Sequence, residues 1–233
     1  DLAPLPAAGM QRSIAGRLLF WFLVIALIPC ALLTAITARI AASALEKSVR
    51  DNLVHIAGAK AAELEAYAIE RVRDGAALAR SPTVIDAVTS LAREPGGDET
   101  PAATRERLSA AGRTFESYFG YVAKTYGYSQ LILVDAAGRV VFSLEDSVPL
   151  GASLLAGQLA SSELATGFDR ARTLLQSELT GFQTYGKTAA PLAFVTCPVF
   201  AEGRLVGVLP LGLGPQRVWR SLSDLSGLGE TGE

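Results

Sequence analysis

Hydrophobic and polar positions change their spacing along the chain. From Leu18 to Ala38, 21 consecutive residues are uncharged and almost all apolar, bounded by Arg17 and Arg39. At about 1.5 Å per residue such a helix covers roughly 31 Å, enough for a hydrocarbon core of about 30 Å. Between residues 40 and 81 the apolar side chains instead recur near every 3.6 residues, through Leu45, Val49, Leu53, Ile56, Leu64, Ala68, Val72 and Ala76. Lys47, Asp51, Glu63, Glu70 and Arg73 occupy the other faces. This predicts one long amphipathic helix whose narrow stripe suits packing on one partner helix or a sheet. Ser81-Pro82 ends it and opens a short helix from Thr83 to Leu91. A Gly/Pro-rich loop over residues 93–103 follows, then a helix from Arg105 to Tyr126 carrying Leu108, Phe115, Phe119 and Val122.

From residue 129 the pattern reads as strands. Gln130–Val134 and Arg139–Leu144 form a predicted hairpin around Asp135–Gly138, where glycine supplies a positive φ. Phe182–Tyr185 is a weaker strand. Pro191–Phe200 and Leu205–Leu213 make a second hairpin through Ala201–Arg204. Helical pieces fill Leu150–Leu179, and Trp219–Leu225 is helical again. An apolar sheet face needs cover, which the amphipathic helices supply. The expected fold class is α+β: an N-terminal transmembrane helix, a long amphipathic helix and a PAS-like antiparallel sheet flanked by helices. Pro210 interrupts the last strand and should cost one ladder hydrogen bond or mark a bulge.

Composition narrows the function classes. Half of the 233 residues are hydrophobic, and the net charge is −2. Residues after 40 carry 18 basic and 22 acidic side chains with no dense basic run, which argues against nucleic acid as a partner. Cys30 and Cys197 cannot build a disulfide framework, and Cys197, in an apolar strand, reads as a buried free thiol. His55 is the single histidine, so zinc clusters and histidine-based triads lose their ligands or their base. No catalytic group, cofactor or metal site is expected within these residues.

The apolar run after Arg12 and Arg17 has two readings. Ala42-Ser43-Ala44 resembles a signal-peptide cleavage site, but the run is longer than the roughly 7–15 residues of a signal h-region, so an uncleaved anchor is expected. Pro29 is tolerated in a membrane helix, and Trp21 suits an interface anchor. Basic residues flank both ends, so charge alone does not orient it.

The segments YSQLILVDAAGRVVFSLED, GKTAAPLAFVTCPVFAEGRLVGVLPLGL and LSGLGETGE together resemble the double-Cache (dCache) sensor region of bacterial transmembrane receptors. The resemblance covers roughly residues 18–233. It implies a membrane helix leading into a long helix, a membrane-distal PAS-like module and a membrane-proximal one, with residues 40–233 outside the cytoplasm. It further implies a bacterial inner-membrane location and an output of histidine-kinase, chemoreceptor or nucleotide-cyclase type. Amino-acid-binding modules of this kind carry an Arg-x-Trp-Tyr cluster after the second strand. Here that place reads DSVPLGA (residues 146–152), which gives no support for α-amino-acid binding.

The resulting organisation is an N-terminal tail (1–17), a transmembrane helix (18–38), a signalling helix (40–80), a PAS-like module (81–226) and the start of a truncated second module (227–233). Gly227, Gly229 and Gly232 match G-x-G-x-x-G, but the stretch follows a helix rather than a strand, and no helix follows to cap a phosphate. Asp135, Arg139 and Glu202 read as turn and edge charges. Tyr118 and Tyr121 on the aromatic-rich helix, with Tyr185, Lys187 and Thr196 from the sheet side, are the candidate ligand-binding residues. Buried phenols need partners, and Lys187 would favour an anionic small molecule. The expected function is the extracytoplasmic small-molecule sensor portion of a transmembrane receptor, foremost a sensor histidine kinase acting as a homodimer. The alternatives are a chemoreceptor or cyclase sensor, or an anchored binding protein without an output domain.

Overall fold

The computed structural model describes residues 14–93, 100–186 and 190–223. Lys187 and the Gly227–Glu233 stretch lie outside the described residues. The chain divides into two units, Asp1–Gly58 and Ala59–Glu233, and helix α1 (Ile14–Leu78) contributes to both.

In the first unit α1 keeps its apolar side chains exposed, with Phe22 at 77% and Leu19 at 72%. It is the one helix among the described residues long and apolar enough to cross a membrane. Thr34 and Thr37 each donate their hydroxyl one turn back, to the carbonyls of Cys30 (2.7 Å) and Leu33 (2.8 Å). Those bonds leave no unsatisfied hydroxyl inside the apolar span.

The second unit is built on a five-stranded antiparallel sheet in the order β2-β1-β5-β4-β3, a PAS-like arrangement. Its strands are β1 (Gln130–Asp135), β2 (Val140–Ser143), β3 (Glu178–Leu179), β4 (Ala193–Ala201) and β5 (Arg204–Leu213). The β1–β2 hairpin turns where Asp135 Oδ1 accepts from the Ala137 and Arg139 amides (3.0 and 2.8 Å), with Gly138 at φ +81. Glu202 and Gly203, both at positive φ, close the β4–β5 hairpin as a two-residue loop of the kind that matches strand twist. The third strand lies at 178–179 rather than at the expected Phe182–Tyr185. That later segment makes only one bridge, between Gln183 and Leu192.

Pro210 sits in the central strand β5. On one side it stays in register with Thr196 of β4. On the other, β1–β5 pairing passes from Leu131↔Leu211 to Val134↔Val208 with an unpaired step between and no register shift. The missing N–H thus leaves a gap in one ladder and produces no bulge.

Both sheet faces are buried, and alternate strand residues serve two cores. Leu131, Leu133, Val195, Cys197, Leu209 and Leu211 face the first core. Over them pack the end of α1 from Val72 to Leu78, helix α2 (Pro82–Leu91) and helix α3 (Pro101–Tyr126). Ile132, Val134, Phe194 and Val208 face the second, covered by helix α4 (Glu163–Leu174) and the loop residues Val148, Leu154, Tyr185 and Leu192. Ser81 and Thr100 accept hydrogen bonds from the third helical amides of α2 and α3, each with proline following at the first helical position. A last helix, α5 (Gln216–Ser223), leaves the end of β5.

Helix α1 lies tight on the sheet at Gly75. A Cβ there would stand 2.7 Å from Cys197 Sγ, 3.1 Å from Leu211 Cδ1 and 3.2 Å from Val195 Cγ1. We expect Gly75→Ala to destabilise the fold by about 1–3 kcal/mol through overpacking, outweighing a helix-propensity gain of about 1 kcal/mol. Adding Cys197→Ala should return most of that loss in urea unfolding. Burial also pushes the Cys197 thiol from 9.0 up to about 11. The unfolded chain therefore releases this proton first, and its contribution to stability holds below about pH 9 and is lost between pH 9 and 11. In Cys197→Ala that part of the alkaline slope should be missing from unfolding measured across the same range.

Candidate ligand cleft

At the end of the sheet where β1 begins and β5 ends, the two covering layers stop short. They leave a cleft of about 620 Å³ lined by Ser129, Glu145, Asp146, Ser147, Pro149, Gly186, Ala190, Leu192, Gly214 and Gln216. Its floor is fixed by Gln130, the first residue of β1, whose side chain is completely buried. Gln130 Nε2 donates its two hydrogens to the Glu145 carbonyl (2.8 Å) and Ser147 Oγ (2.7 Å), with Ser143 Oγ farther off at 3.3 Å. Its Oε1 accepts from the amides of Leu131 (2.9 Å) and Glu145 (3.0 Å). One amide side chain thus fastens the whole 143–147 turn to the sheet.

Two glycines bring the other walls in close. Gly186 takes φ +58, and a Cβ there would lie 2.8 Å from the Ser147 carbonyl. At Gly214 a Cβ would stand 2.1 Å from Gln216 Oε1 and 2.9 Å from Ser129 Oγ. The wall therefore offers two hydroxyls, one amide and the exposed carboxylates of Glu145 and Asp146 beside the apolar Pro149, Ala190 and Leu192. Among the described lining residues there is no lysine, arginine or histidine. Asp146 also borders a second, smaller cleft of about 390 Å³ on the α3 side of the turn, with Arg113 and Glu116.

The segment running into Gly186 serves helix α4 as well. Gln183 Oε1 accepts from the Glu163 amide (2.7 Å), Tyr185 Oη from Leu164 (3.0 Å) and Ser162 Oγ from Ala165 (3.1 Å). Three amides of the first helical turn, which have no partner within the helix, are satisfied by side chains in this way.

The structure does not gather the four described sequence-predicted residues, Tyr118, Tyr121, Tyr185 and Thr196, into one pocket. Tyr118, on α3, is half-buried against the first core, with its ring edge-on to Phe119 at 5.4 Å. Tyr121 is 68% exposed. Tyr185 and Thr196 lie across the sheet in and beside the second core. The Tyr185 ring meets Phe194 edge-on at 5.2 Å. Thr196, fully buried, donates to the Glu178 carbonyl (3.3 Å) and packs under Gly167 of α4. The five were grouped on residue type, whereas strand alternation and helix placement put a sheet between Tyr118 and Tyr185. None of the four described residues lines the cleft, although Tyr185 directly precedes Gly186, which does. The residues that shape it (Gln130, Gly186, Gly214 and Gln216) were not singled out from sequence. A polar Gln opening an otherwise apolar strand was the one available signal.

No sequence-family description and no curated protein matches this chain. Among solved structures it is similar to the sensor domain of the Vibrio cholerae histidine kinase DctB, at 15% identity over 79% of this chain and 61% of that one, with a TM-score of 0.49. The ligand-binding domain of the Pseudomonas aeruginosa PAO1 amino acid chemoreceptor PctC, in complex with GABA, is 16% identical over 75% and 64%, TM-score 0.43. The Escherichia coli DcuS sensor domain is 14% identical over 69% and 97%, TM-score 0.39. The chain spans about three fifths of the DctB domain's length.

Replacing Gln130 by leucine should cost about 2–3 kcal/mol, because the Glu145 amide and carbonyl lose a buried partner. Urea unfolding gives the cost, and faster amide exchange confined to residues 143–147 gives its location. Burial raises the Tyr185 phenol from 10.0 to about 12, so its contribution to stability holds below pH 10 and is lost between pH 10 and 12. That portion of the alkaline loss should vanish in Tyr185→Phe, which also gives up the acceptor for Leu164 at a cost of about 1 kcal/mol.

Proposed function

We propose that this chain is the sensor portion of a bacterial transmembrane receptor of histidine-kinase type, with residues after about 40 outside the cytoplasm. The observation that carries this reading is the pairing, in one chain, of an exposed membrane-length apolar helix with a PAS-like module that has an open, hydrogen-bonded cleft. A small molecule entering that cleft changes the packing of the sheet's end. The long helix then carries the change toward the membrane. The reading involves no catalytic step and no cofactor.

The ligand is small and polar. Glu145, Asp146, Ser129, Ser147 and Gln216 suit a molecule that presents hydrogen-bond donors. The receptor acts as a homodimer. In the first unit Ala42, Leu45, Val49, Leu53, Val54 and Ala57 form an exposed, mostly apolar strip on α1 that also carries the Glu46–Arg50 pair. Two copies held in one membrane bury that strip against each other.

A thermal-shift screen of the full chain in detergent against amines, amides, amino acids and carboxylates should find stabilising ligands. At about 100 times Kd the gain is about 2.7 kcal/mol, or about 5–10 °C in Tm. Ser129→Trp, which fills the cleft, should remove the shift. The sensor reading fails if no class shifts Tm, or if shifts survive the filled cleft. Separately, Val49→Cys in a Cys30→Ala background should form a disulfide dimer in membranes under mild oxidant, and Glu65→Cys, off the strip, should not.

A further inference from the structure

A chain of stacked cations and rings joins α5 to the part of α1 in the second unit. Arg217, in the first turn of α5, lies over the Tyr67 ring at 5.0 Å. The Arg71 guanidinium stands 5.4 Å from the centroid of that same ring and 6.0 Å from that of Tyr128. Tyr128 in turn stacks with Tyr126 at 6.4 Å. Arg217 enters a small notch of about 190 Å³ whose α1 side is formed by Glu63, Tyr67 and Glu70, spaced to share one helix face.

Arg71 is held from several sides. It donates to the Tyr126 carbonyl (2.8 Å) and pairs with Glu70 (3.1 Å) and Asp74 (3.0 Å). Its Nε is nevertheless buried with no partner, the single side-chain nitrogen or oxygen so placed among the described residues. A buried donor left unmade raises the free energy of this arrangement relative to one that would satisfy it.

The position of α5 gives this chain its meaning. Gln216 lines the ligand cleft, and the next residue, Arg217, sits on α1. At Gly214, where β5 leads into α5, the ends of the exposed Gln216 and Ser129 side chains close over the backbone. Movement of the cleft's α5 wall therefore displaces Arg217 on Tyr67. We infer that Arg217 is a positioning residue that couples the cleft to α1 through the Arg217–Tyr67–Arg71–Tyr128 stack. This inference rests on the cleft being the sensing site, but its test needs no ligand.

The probe is Gln216→Trp, which sets a large ring in the cleft's α5 wall, in the full chain in detergent micelles. Amide exchange over residues 63–74 of α1 should rise about threefold or more. In an Arg217→Ala background the rise should disappear, while Arg217→Lys recovers part of it. Tyr67→Phe should preserve it and Tyr67→Leu abolish it. If Gln216→Trp does not fold, Ser129→Trp presses on the same wall from the β1 side. The inference is overturned if exchange over 63–74 is unchanged by the cleft substitution, or rises equally with and without Arg217. The second result would make Arg217 a passive contact. Lack of any ligand in the thermal-shift screen defeats the sensor reading and leaves this measurement unaffected; an absent exchange response defeats the coupling and leaves binding unaffected.

Discussion

Strand β5 is paired on both edges and buried on both faces, and such a strand is stable only when two separate layers cover its sheet. Much of the second unit follows from meeting that requirement with a short chain. One face takes α2, α3 and the end of α1, which comes so close at Gly75 that no side chain fits between helix and strand. The other takes a single helix, α4, extended by the loop residues Val148, Leu154, Tyr185 and Leu192. The two covers are unequal. The first is helical and tightly packed, whereas part of the second is irregular loop held by side-chain hydrogen bonds.

The cleft lies where that irregular cover runs out. A loop over a sheet must satisfy its own backbone groups, and here Gln130 does part of that work for the 143–147 turn, while Gln183 and Tyr185 tie the later loop to the first turn of α4. Such a wall rests on few contacts, so it opens at lower free energy than the strands beneath it. A cleft built from this material on a rigid sheet joins a loosely held wall to a fixed one, which a uniformly packed core would not provide.

Much of this was legible in the sequence because it depends on local pattern. The 21-residue apolar run, the 3.6-residue stripe, the two hairpins and the breaks at Pro82 and Gly138 each carry their own chemistry. Pro210 was legible as a fault in the last strand, and the gap opposite β1 is its consequence. What was not legible depends on which face an element covers. Tyr118 and Tyr185 look alike in sequence but lie on opposite sides of the sheet. The third strand falls at Glu178–Leu179, where two residues suffice because Thr180 continues the contact with Phe194. Besides their neighbours in sequence, Gln130 and Arg71 hold partners 13–17 and 55 residues away, a separation that periodicity cannot see.

A ligand moves an equilibrium only by the difference in its affinity for two arrangements, and a complete reversal from 1:99 to 99:1 takes about 5.5 kcal/mol. The elements that differ must therefore lie close in free energy, which excludes the sheet and the Gly75 contact. Helix α5 is the better candidate. Its eight residues are too few to hold a helix alone, so its placement is set by what it touches at its first turn. Those contacts are the cleft through Gln216 and α1 through Arg217. A short helix positioned by the binding site on one side and by the long helix on the other responds to both.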